Sequence, residues 1–345
     1  MPMTLGIIAA LVFVASIGST AWLKKLLVKK AVLDIPNVRS SHTAPIPRGG
    51  GLALITCFLA AALALKLLQP ALPYPGPLFF AGLALVAAAG FLDDRFSLPV
   101  ALRFAVQTVA AIIVIYESGG LSSFPLPEPL SFPLAWSGAA LSLFWLLAVM
   151  NIYNFLDGID GFATVQALVA AAGMMVVDYQ GPGFYLGALI FASCCGFLVF
   201  NWQPASLFLG DSGSLALGFM FACLPFYFHR HDAEAGVFLM ICLLWFFLSD
   251  GAFIIVSRLL RGEKIWVAHR THLYQRLVIA GFRHDQVVVR VFSLQLANLA
   301  LLYCLHRYLE RLWFLSLAQL AILFLLYFGY VVWKEKAGPK DQCTD

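Results

Sequence analysis

Residues 134–177 read LAWSGAALSLFWLLAVM-NIYNFLDGIDG-FATVQALVAAAGMMVV, a polar segment between two apolar runs. Each run is close to the length of about 20 residues that a membrane-spanning helix needs. Between them Asn151, Asn154, Asp157 and Asp160 recur every three positions, so on a helix or tight turn they would share roughly one face. Amides and carboxylates that directly adjoin two membrane spans are energetically unfavourable unless they have a function. This segment therefore indicates a functional site at a membrane surface rather than an idle turn.

The composition of the whole chain places it in lipid. Of 345 residues, 61% are hydrophobic and 12% are charged, whereas a soluble domain carries about twice that charged fraction. We therefore expect an all-α polytopic membrane protein with one catalytic domain over residues 1–345. No charge run or aromatic-basic pattern indicates nucleic acid. The seven cysteines have no metal-ligand spacing and are interpreted as small hydrophobic residues.

Apolar runs long enough to cross a bilayer predict eleven spans. The first is expected to be retained rather than cleaved as a signal peptide, because lysines follow it instead of preceding it. The predicted spans are residues 3–23, 49–68, 77–92, 98–116, 134–152, 159–178, 183–200, 213–229, 235–257, 287–306 and 311–333.

The positive residues predict the orientation of these spans. With the amino terminus outside, four of the 22 Lys and Arg residues (Lys66, Arg230, Arg307 and Arg311) lie on the outer side and the other 18 lie inside. Such a bias is typical of the cytoplasmic side of a membrane protein. An odd number of spans then places the carboxyl terminus in the cytoplasm.

With this topology, five polar, acid- or histidine-bearing segments fall in five inner loops, and no outer loop carries a comparable cluster. The inner loops are residues 24–48, 92–98, 151–161, 201–213 and 258–286. Carboxylates, amides, glycines and imidazoles on one membrane face are what metal-assisted phosphate chemistry needs. We therefore expect the five loops to form one active site.

The acidic residues of two loops each allow a second interpretation. Asp93 and Asp94 either mark a helix end or bind a cation and activate a phosphate nucleophile. Asp211 and Ser212 either cap the helix that follows or place a magnesium ligand at a helix amino terminus, where phosphate also binds. Phe208 would then offer a ring that stacks on a base.

The cationic residues near the predicted site are also open to two interpretations. Arg48 precedes three glycines, whose amides form either an anion nest or a flexible helix start, and Arg39 and His42 lie on the same loop. The sequence from His269 to His272 forms either a diphosphate clamp or a basic loop beside anionic lipid.

Two further polar residues are assigned to structural roles. Asp250 lies inside a predicted span and is interpreted as a structural polar contact slightly more readily than as a catalytic group. His284 is interpreted as an ordinary loop residue.

Together the motifs Asn151-x-x-Asn-x-x-Asp-Gly-x-Asp-Gly161 and Phe208-Leu-Gly-Asp-x-Gly213 resemble the polyprenyl-phosphate N-acetylhexosamine-1-phosphate transferase family. WecA-like and TagO-like enzymes belong to it, with MraY more distant. The resemblance covers about residues 34–276, and the motif His269-Arg-x-His-x-Tyr-Gln-Arg276 is most similar to WbpL-like members. Several relatives carry three consecutive histidines where this chain has His-Arg-x-His.

The resemblance implies transfer of a HexNAc-1-phosphate from a UDP-HexNAc to undecaprenyl phosphate or another polyprenyl phosphate. UMP would leave, and the product would initiate a cell-surface glycan such as O-antigen. It further implies a bacterial inner-membrane enzyme that faces the cytoplasm, uses Mg²⁺ or else Mn²⁺, and forms a homodimer. The implied metal ligands are Asn154 and Asp211, the catalytic acids are Asp93, Asp94, Asp157 and Asp160, and the substrate-binding residues are Arg48, Asn151, Phe208, His269, Arg270 and His272.

The main alternative is a secondary transporter. Transporters place ionisable groups near the membrane midplane in broken helices, whereas the acids here lie at inner helix ends, with Asp250 as the exception. A CDP-alcohol phosphatidyltransferase would carry Ala-Arg after its first Asp-Gly, where this chain has Ile159-Asp160. A membrane scaffold would leave the polar loops unexplained.

Overall fold

A computed structural model describes residues 2–36, 44–72, 74–126, 129–228, 233–264, 270–308 and 315–337. Three predicted cationic residues, Arg39, His42 and His269, lie outside these ranges. Two short antiparallel strands pair Leu33–Asp34 (β1) with Ile46–Pro47 (β2). The α-helices are α1 (Pro2–Lys29), α2 (Gly51–Leu68), α3 (Pro77–Phe96), α4 (Val100–Ser118), α5 (Ser137–Phe155), α6 (Phe162–Val177), α7 (Pro182–Asn201), α8 (Gly210–Cys223), α9 (Ala233–Leu243), α10 (Trp245–Leu260), α11 (Leu273–Ile279), α12 (His284–Tyr308) and α13 (Leu315–Lys336).

The prediction of an all-α polytopic membrane protein is confirmed. Within the described ranges, eight helices are long and apolar enough to span a bilayer, or nine with the bent pair α9 and α10. The remaining two predicted spans correspond to α6 and α8, which have 16 and 14 residues and are short for a hydrocarbon core of about 30 Å. The count of eleven and the orientation of the termini stay predictions.

The predicted span 235–257 is not one straight helix. It breaks at Leu244 into α9 and α10, whose axes differ by 83°. The α10 half carries Asp250, which is 1% exposed. An intramembrane acid needs a protein partner, and Asp250 has such partners in His272, Leu273 and Tyr274.

Helix α8 lies in the middle of the bundle, packed against α2, α3 and α5. Every residue from Ser212 to Cys223 is buried, as expected for a helix that is apolar all round. Its neighbours approach closely because glycines lie at the contacts. A β-carbon at Gly51 of α2 would lie 2.1 Å from the Gly213 α-carbon, so neither position admits a larger side chain without displacement of a helix.

Candidate active site

Asp94, near the end of α3, caps the amino terminus of α8. Its Oδ1 accepts a hydrogen bond from the Asp211 N–H at 2.9 Å, and its Oδ2 accepts one from the Ser212 N–H at 3.1 Å. The residue at the N-cap position is Leu209, whose side chain has no acceptor. The negative charge of Asp94 is therefore satisfied by the first turn of α8, and Asp211 lies inside that turn rather than capping it.

Arg48 contacts Asp94 from the other side. Its Nε donates to the Asp94 carbonyl at 2.9 Å and lies 3.9 Å from the Asp94 Oδ1. The interpretation of the glycines after Arg48 as an anion nest, one of two left open, is wrong for two of them. Gly50 N–H donates to the Phe208 carbonyl and Gly51 N–H to the Leu209 carbonyl, at 2.9 and 2.8 Å. These amides bind the loop before α8 and are not available for a phosphate.

Asp93 is held at the junction of α3 and α4. Its Oδ1 accepts from the Leu98 N–H at 2.6 Å, and its Oδ2 accepts from Arg103 Nη1 at 2.7 Å. The same Arg103 nitrogen lies 3.6 Å from the Asp211 Oδ2, and the Asp93 and Asp211 carboxyl groups also contact each other. Arg103 therefore supplies the positive charge that two facing carboxylates need.

The two asparagines at the end of α5 contact different helices. Asn154 Nδ2 donates to the Asp211 Oδ1 at 2.9 Å and to Ser214 Oγ at 2.8 Å. Asn151 Nδ2 donates to the buried Gln107 of α4 at 2.7 Å. Asn154 therefore connects the turn after α5 to α8, while Asn151 fixes α5 against α4.

Asp157 lies in the turn between α5 and α6 and is surrounded by protein apart from a partly accessible face. Desolvation by burial, together with the negative charges of Asp94 and Asp160, raises the pKa of Asp157 to about 8. A carboxyl group in such surroundings favours a bound cation or a proton over a free negative charge.

Asp160 ends the same turn and has two partners. Its Oδ2 accepts from the Ala205 N–H at 3.0 Å, and its Oδ1 lies 3.5 Å from His284 Nδ1. The interpretation of His284 as an ordinary loop residue is wrong, because it is 7% exposed and lies beside this acid. The amino terminus of α12 is thus joined to the polar turn.

Asp250 holds the start of α11. Its Oδ1 lies 3.1 Å from His272 Nδ1 and accepts from the Leu273 N–H at 3.1 Å. The expectation that Asp250 makes a structural polar contact is confirmed. Burial raises the pKa of the Tyr274 hydroxyl, and the positive charge of Arg270 partly offsets this rise.

Phe208 is half-buried, and its N–H donates to the Pro47 carbonyl at 2.9 Å. This pairing holds the loop before α8 beside β2. Stacking of the Phe208 ring on a base stays a prediction.

Residues from all five polar segments therefore lie around the ends of α3, α5 and α8. The profile of the family described as glycosyl transferase family 4 matches residues 77–229, which include Asp93, Asp94, the polar turn and Asp211. Over these residues the chain is similar to this family.

Three relatives are similar to this chain over much of their length. A probable undecaprenyl-phosphate N-acetylglucosaminyl 1-phosphate transferase of Bacillus subtilis is 27% identical over 79% of this chain and 77% of its own. An undecaprenyl-phosphate alpha-N-acetylglucosaminyl 1-phosphate transferase of Yersinia pestis is 28% identical over 93% and 89%. A phospho-N-acetylmuramoyl-pentapeptide-transferase of Listeria welshimeri is 26% identical over 82% and 91%. The transporter alternative is not supported.

The side-chain oxygens near the start of α8 are of the type that binds a hard cation such as Mg²⁺. Among the described residues, no group of three or more His, Cys, Asp or Glu side chains converges on one metal position. Mg²⁺, however, usually binds one or two carboxylates and keeps several waters and substrate phosphates. Asp211 supplies a carboxylate, and Asn154 beside it supplies an amide oxygen, since its nitrogen is the atom that donates to Asp211.

Three residues of this site were missed by the sequence analysis. Arg103 was counted only as an inner positive charge, although it lies one helical turn into α4 and ten residues after Asp93. Gln107 lies one turn further along, on the same face of α4 as Arg103. This i, i+4 polar pair in an apolar helix was a usable signal, whereas nothing in the sequence joins His284 to Asp160.

Proposed function

We propose that the protein transfers a HexNAc-1-phosphate group from a UDP-HexNAc to a polyprenyl phosphate such as undecaprenyl phosphate, releasing UMP. The activities for which the three relatives are named support this reaction class. The observation that carries the proposal is the arrangement at the amino terminus of α8, where Asp211 lies among Asp93, Asn154 and Arg103. Because the first amides of α8 already bind Asp94, a diphosphate here would be neutralised by Arg103 and by a cation held at the acidic side chains.

The reaction forms one phosphorus–oxygen bond and breaks another. An oxygen of the lipid phosphate bonds to the β-phosphorus of UDP-HexNAc, and the bond from that phosphorus to the oxygen that bridges to the α-phosphate breaks. The bridging oxygen leaves with the electron pair as part of UMP. A phosphate monoester has a second pKa of about 6, so the lipid phosphate is largely dianionic at neutral pH and needs no strong base.

Since no strong base is needed, Asp93 and Arg103 would act by positioning and charge neutralisation. Both oxygens of Asp93 accept hydrogen bonds, so Asp93 orients Arg103 instead of removing a proton. Arg103, which is 31% exposed, can neutralise phosphate charge, as can Arg48 at 33% exposed. Phosphoryl transfer depends mainly on such positioning and charge neutralisation.

Asp211 and Asn154 would hold Mg²⁺, or Mn²⁺ in its place, and the bound ion would neutralise charge that develops on the transferred phosphate. Asp157 and Asp160 would position the nucleotide-sugar. Asn151, Phe208, Arg270 and His272 remain proposed substrate-binding residues, as does His269 outside the described ranges.

The proposed setting is the bacterial inner membrane, with the site open to the cytoplasm where UDP-sugars are found. The excess of Lys and Arg on the predicted inner side supports this orientation. The product would begin a cell-surface glycan such as O-antigen, and the protein would act as a homodimer.

The proposal is tested by UMP release from purified protein with undecaprenyl phosphate, Mg²⁺ and a panel of UDP-HexNAc donors (GlcNAc, GalNAc, QuiNAc and FucNAc). We expect release that needs the lipid, stops with EDTA and is abolished in Asp211→Ala. The control is Asp178→Asn, which alters a buried aspartate at the other end of α6. Folded protein that neither releases UMP nor binds any of these donors would refute the proposed reaction.

A further inference from the structure

Asp250 binds three consecutive residues with one buried carboxylate. In addition to its contacts with His272 and Leu273, its Oδ2 accepts from the Tyr274 N–H at 3.4 Å. A buried carboxylate is tolerated only when hydrogen bonds satisfy it. The amino-terminal amides of α11 do so here, and they fix His272 and Tyr274 relative to α10.

His272, which is held by Asp250, in turn contacts the Tyr274 ring. The imidazole is 3% exposed, and it stacks on the Tyr274 ring with centroids 5.8 Å apart and planes 28° apart. Asp250 holds the ring through Nδ1 at 3.1 Å. A carboxylate at this nitrogen sets both the tautomer and the orientation of a histidine.

Tyr274 then contacts both sides of the turn between α5 and α6. Its ring stacks on Phe162 at 4.7 Å between centroids, and its hydroxyl donates to the Phe155 carbonyl at 3.4 Å. A β-carbon at Gly158, inside the turn, would lie 2.2 Å from this hydroxyl. The tyrosine therefore lies directly against the turn that carries Asp157 and Asp160.

We propose that Asp250 is a positioning residue, which acts through His272 and Tyr274 to brace this acid-bearing turn. The three residues are called the brace below. The inference deepens the proposed function and rests on it, because the turn belongs to the proposed active site. Within the turn, the Asp157 N–H donates to the Asn154 carbonyl at 3.2 Å. A displacement of about 1 Å in such a segment can cost about 100-fold in rate.

Hydrogen exchange tests the brace independently of activity. Full-length protein in lipid nanodiscs is compared with Asp250→Asn, His272→Gln and Tyr274→Phe by mass spectrometry of peptides that cover residues 155–162. The last variant removes only a hydroxyl group and should fold. Loss of one hydrogen bond to the turn is expected to speed exchange there about fivefold.

The matched control for exchange is Asp178→Asn. Asp178 is also a buried aspartate that accepts from a helix amino terminus, through the Gly183 N–H at 2.7 Å. It lies at the far end of α6, which is about 24 Å long at 1.5 Å per residue. Exchange in residues 155–162 that stays at the wild-type rate in all three brace variants, or rises equally in the control, would overturn the proposal.

A double-mutant cycle on UMP release tests whether Asp250 acts through its partner. Each of Asp250→Asn and His272→Gln should lower kcat/KM about tenfold, while the double variant should be within about twofold of the worse single variant. Losses that multiply would mean that Asp250 does not act through His272. If exchange shows that the brace stabilises the turn but wild-type protein releases no UMP, the proposed function is refuted and the brace is not. The two proposals can therefore fail separately, because hydrogen exchange tests the brace without any measurement of activity.

Discussion

At the residue scale, Gly158 is the position where the brace and the polar turn meet. We expect Gly158→Ala to lower the rate of UMP release by at least about tenfold, because its methyl group would force the Tyr274 hydroxyl away from 2.2 Å. Tyr274→Phe removes that oxygen and leaves ring carbon Cζ at 3.2 Å, a contact that small shifts can relieve. The double variant should therefore be more active than Gly158→Ala alone. A double variant that is no better would mean that the two residues are not in contact.

Because the pKa of Asp157 is raised in the folded protein, this residue should make the free energy of unfolding decrease as pH rises. The group titrates near 3.8 in the unfolded chain and near 8 in the folded protein, so ionisation opposes folding. This cost is absent below about pH 4, grows as pH rises, and is complete above about pH 8. Without bound substrate, Asp157→Asn should raise the thermal unfolding temperature more at pH 8 than at pH 5. An equal gain at both values would contradict the raised pKa.

The residue types of the site could be predicted from the sequence, but their partners could not. Asp94 was expected at a phosphate site, yet it caps a helix more than a hundred residues later in the chain. An anion nest was one of two interpretations of the glycines after Arg48, but Gly50 and Gly51 bind the loop before α8. A sequence gives the type of each polar residue, but it does not show whether water, a substrate or another helix provides the hydrogen-bond partner.

At the element scale, Arg103 links α4 to α3 and α8. Arg103→Gln leaves Asp93 and Asp211 facing each other without a counter-charge, and we expect kcat/KM for UMP release to fall by at least about tenfold. The control is Arg95→Gln, since Arg95 is exposed at the end of α3 and lies over the Phe96 ring. Equal activity in the two variants would remove Arg103 from the proposed site.

The positions of the helices could be predicted better than their shapes. Each predicted apolar run corresponds to a helix or to the bent pair, because hydropathy reports burial in lipid or protein alike. The 83° bend at Leu244 was not predicted, since no proline or glycine lies at the break. The short α8 was predicted as a span, although its apolar residues pack against other helices on all sides.

At the scale of the whole molecule, the predicted topology places the site in the cytoplasm and the connection between α4 and α5 outside. In a background with the seven native cysteines replaced, we expect Leu130→Cys in intact cells to react with a membrane-impermeant maleimide. Arg261→Cys, in the predicted inner loop after α10, should react only after the cells are opened. The reverse pattern would invert the orientation.

The most informative structural prediction from the sequence was that the five polar segments lie together on one side of the membrane. It followed from alternation of helix direction, because every second connection of a polytopic bundle lies on the same side. In the described part of the chain, Arg48, Asp94, Asn154, Asp211 and Tyr274 all belong to one connected region. The sugar that the site accepts is a finer property, which depends on contacts with a substrate.

The central claim is that the sugar leaves UDP together with its phosphate. The most direct measurement supplies UDP-HexNAc labelled with ³²P at the β-phosphate to the purified protein with undecaprenyl phosphate, and follows the label into the organic phase. The account predicts that the label enters the lipid in proportion to UMP released, and that Asp211→Ala prevents both. A β-label that stays in the aqueous phase as UDP, while sugar reaches the lipid, would contradict phosphoryl transfer and the proposed site with it.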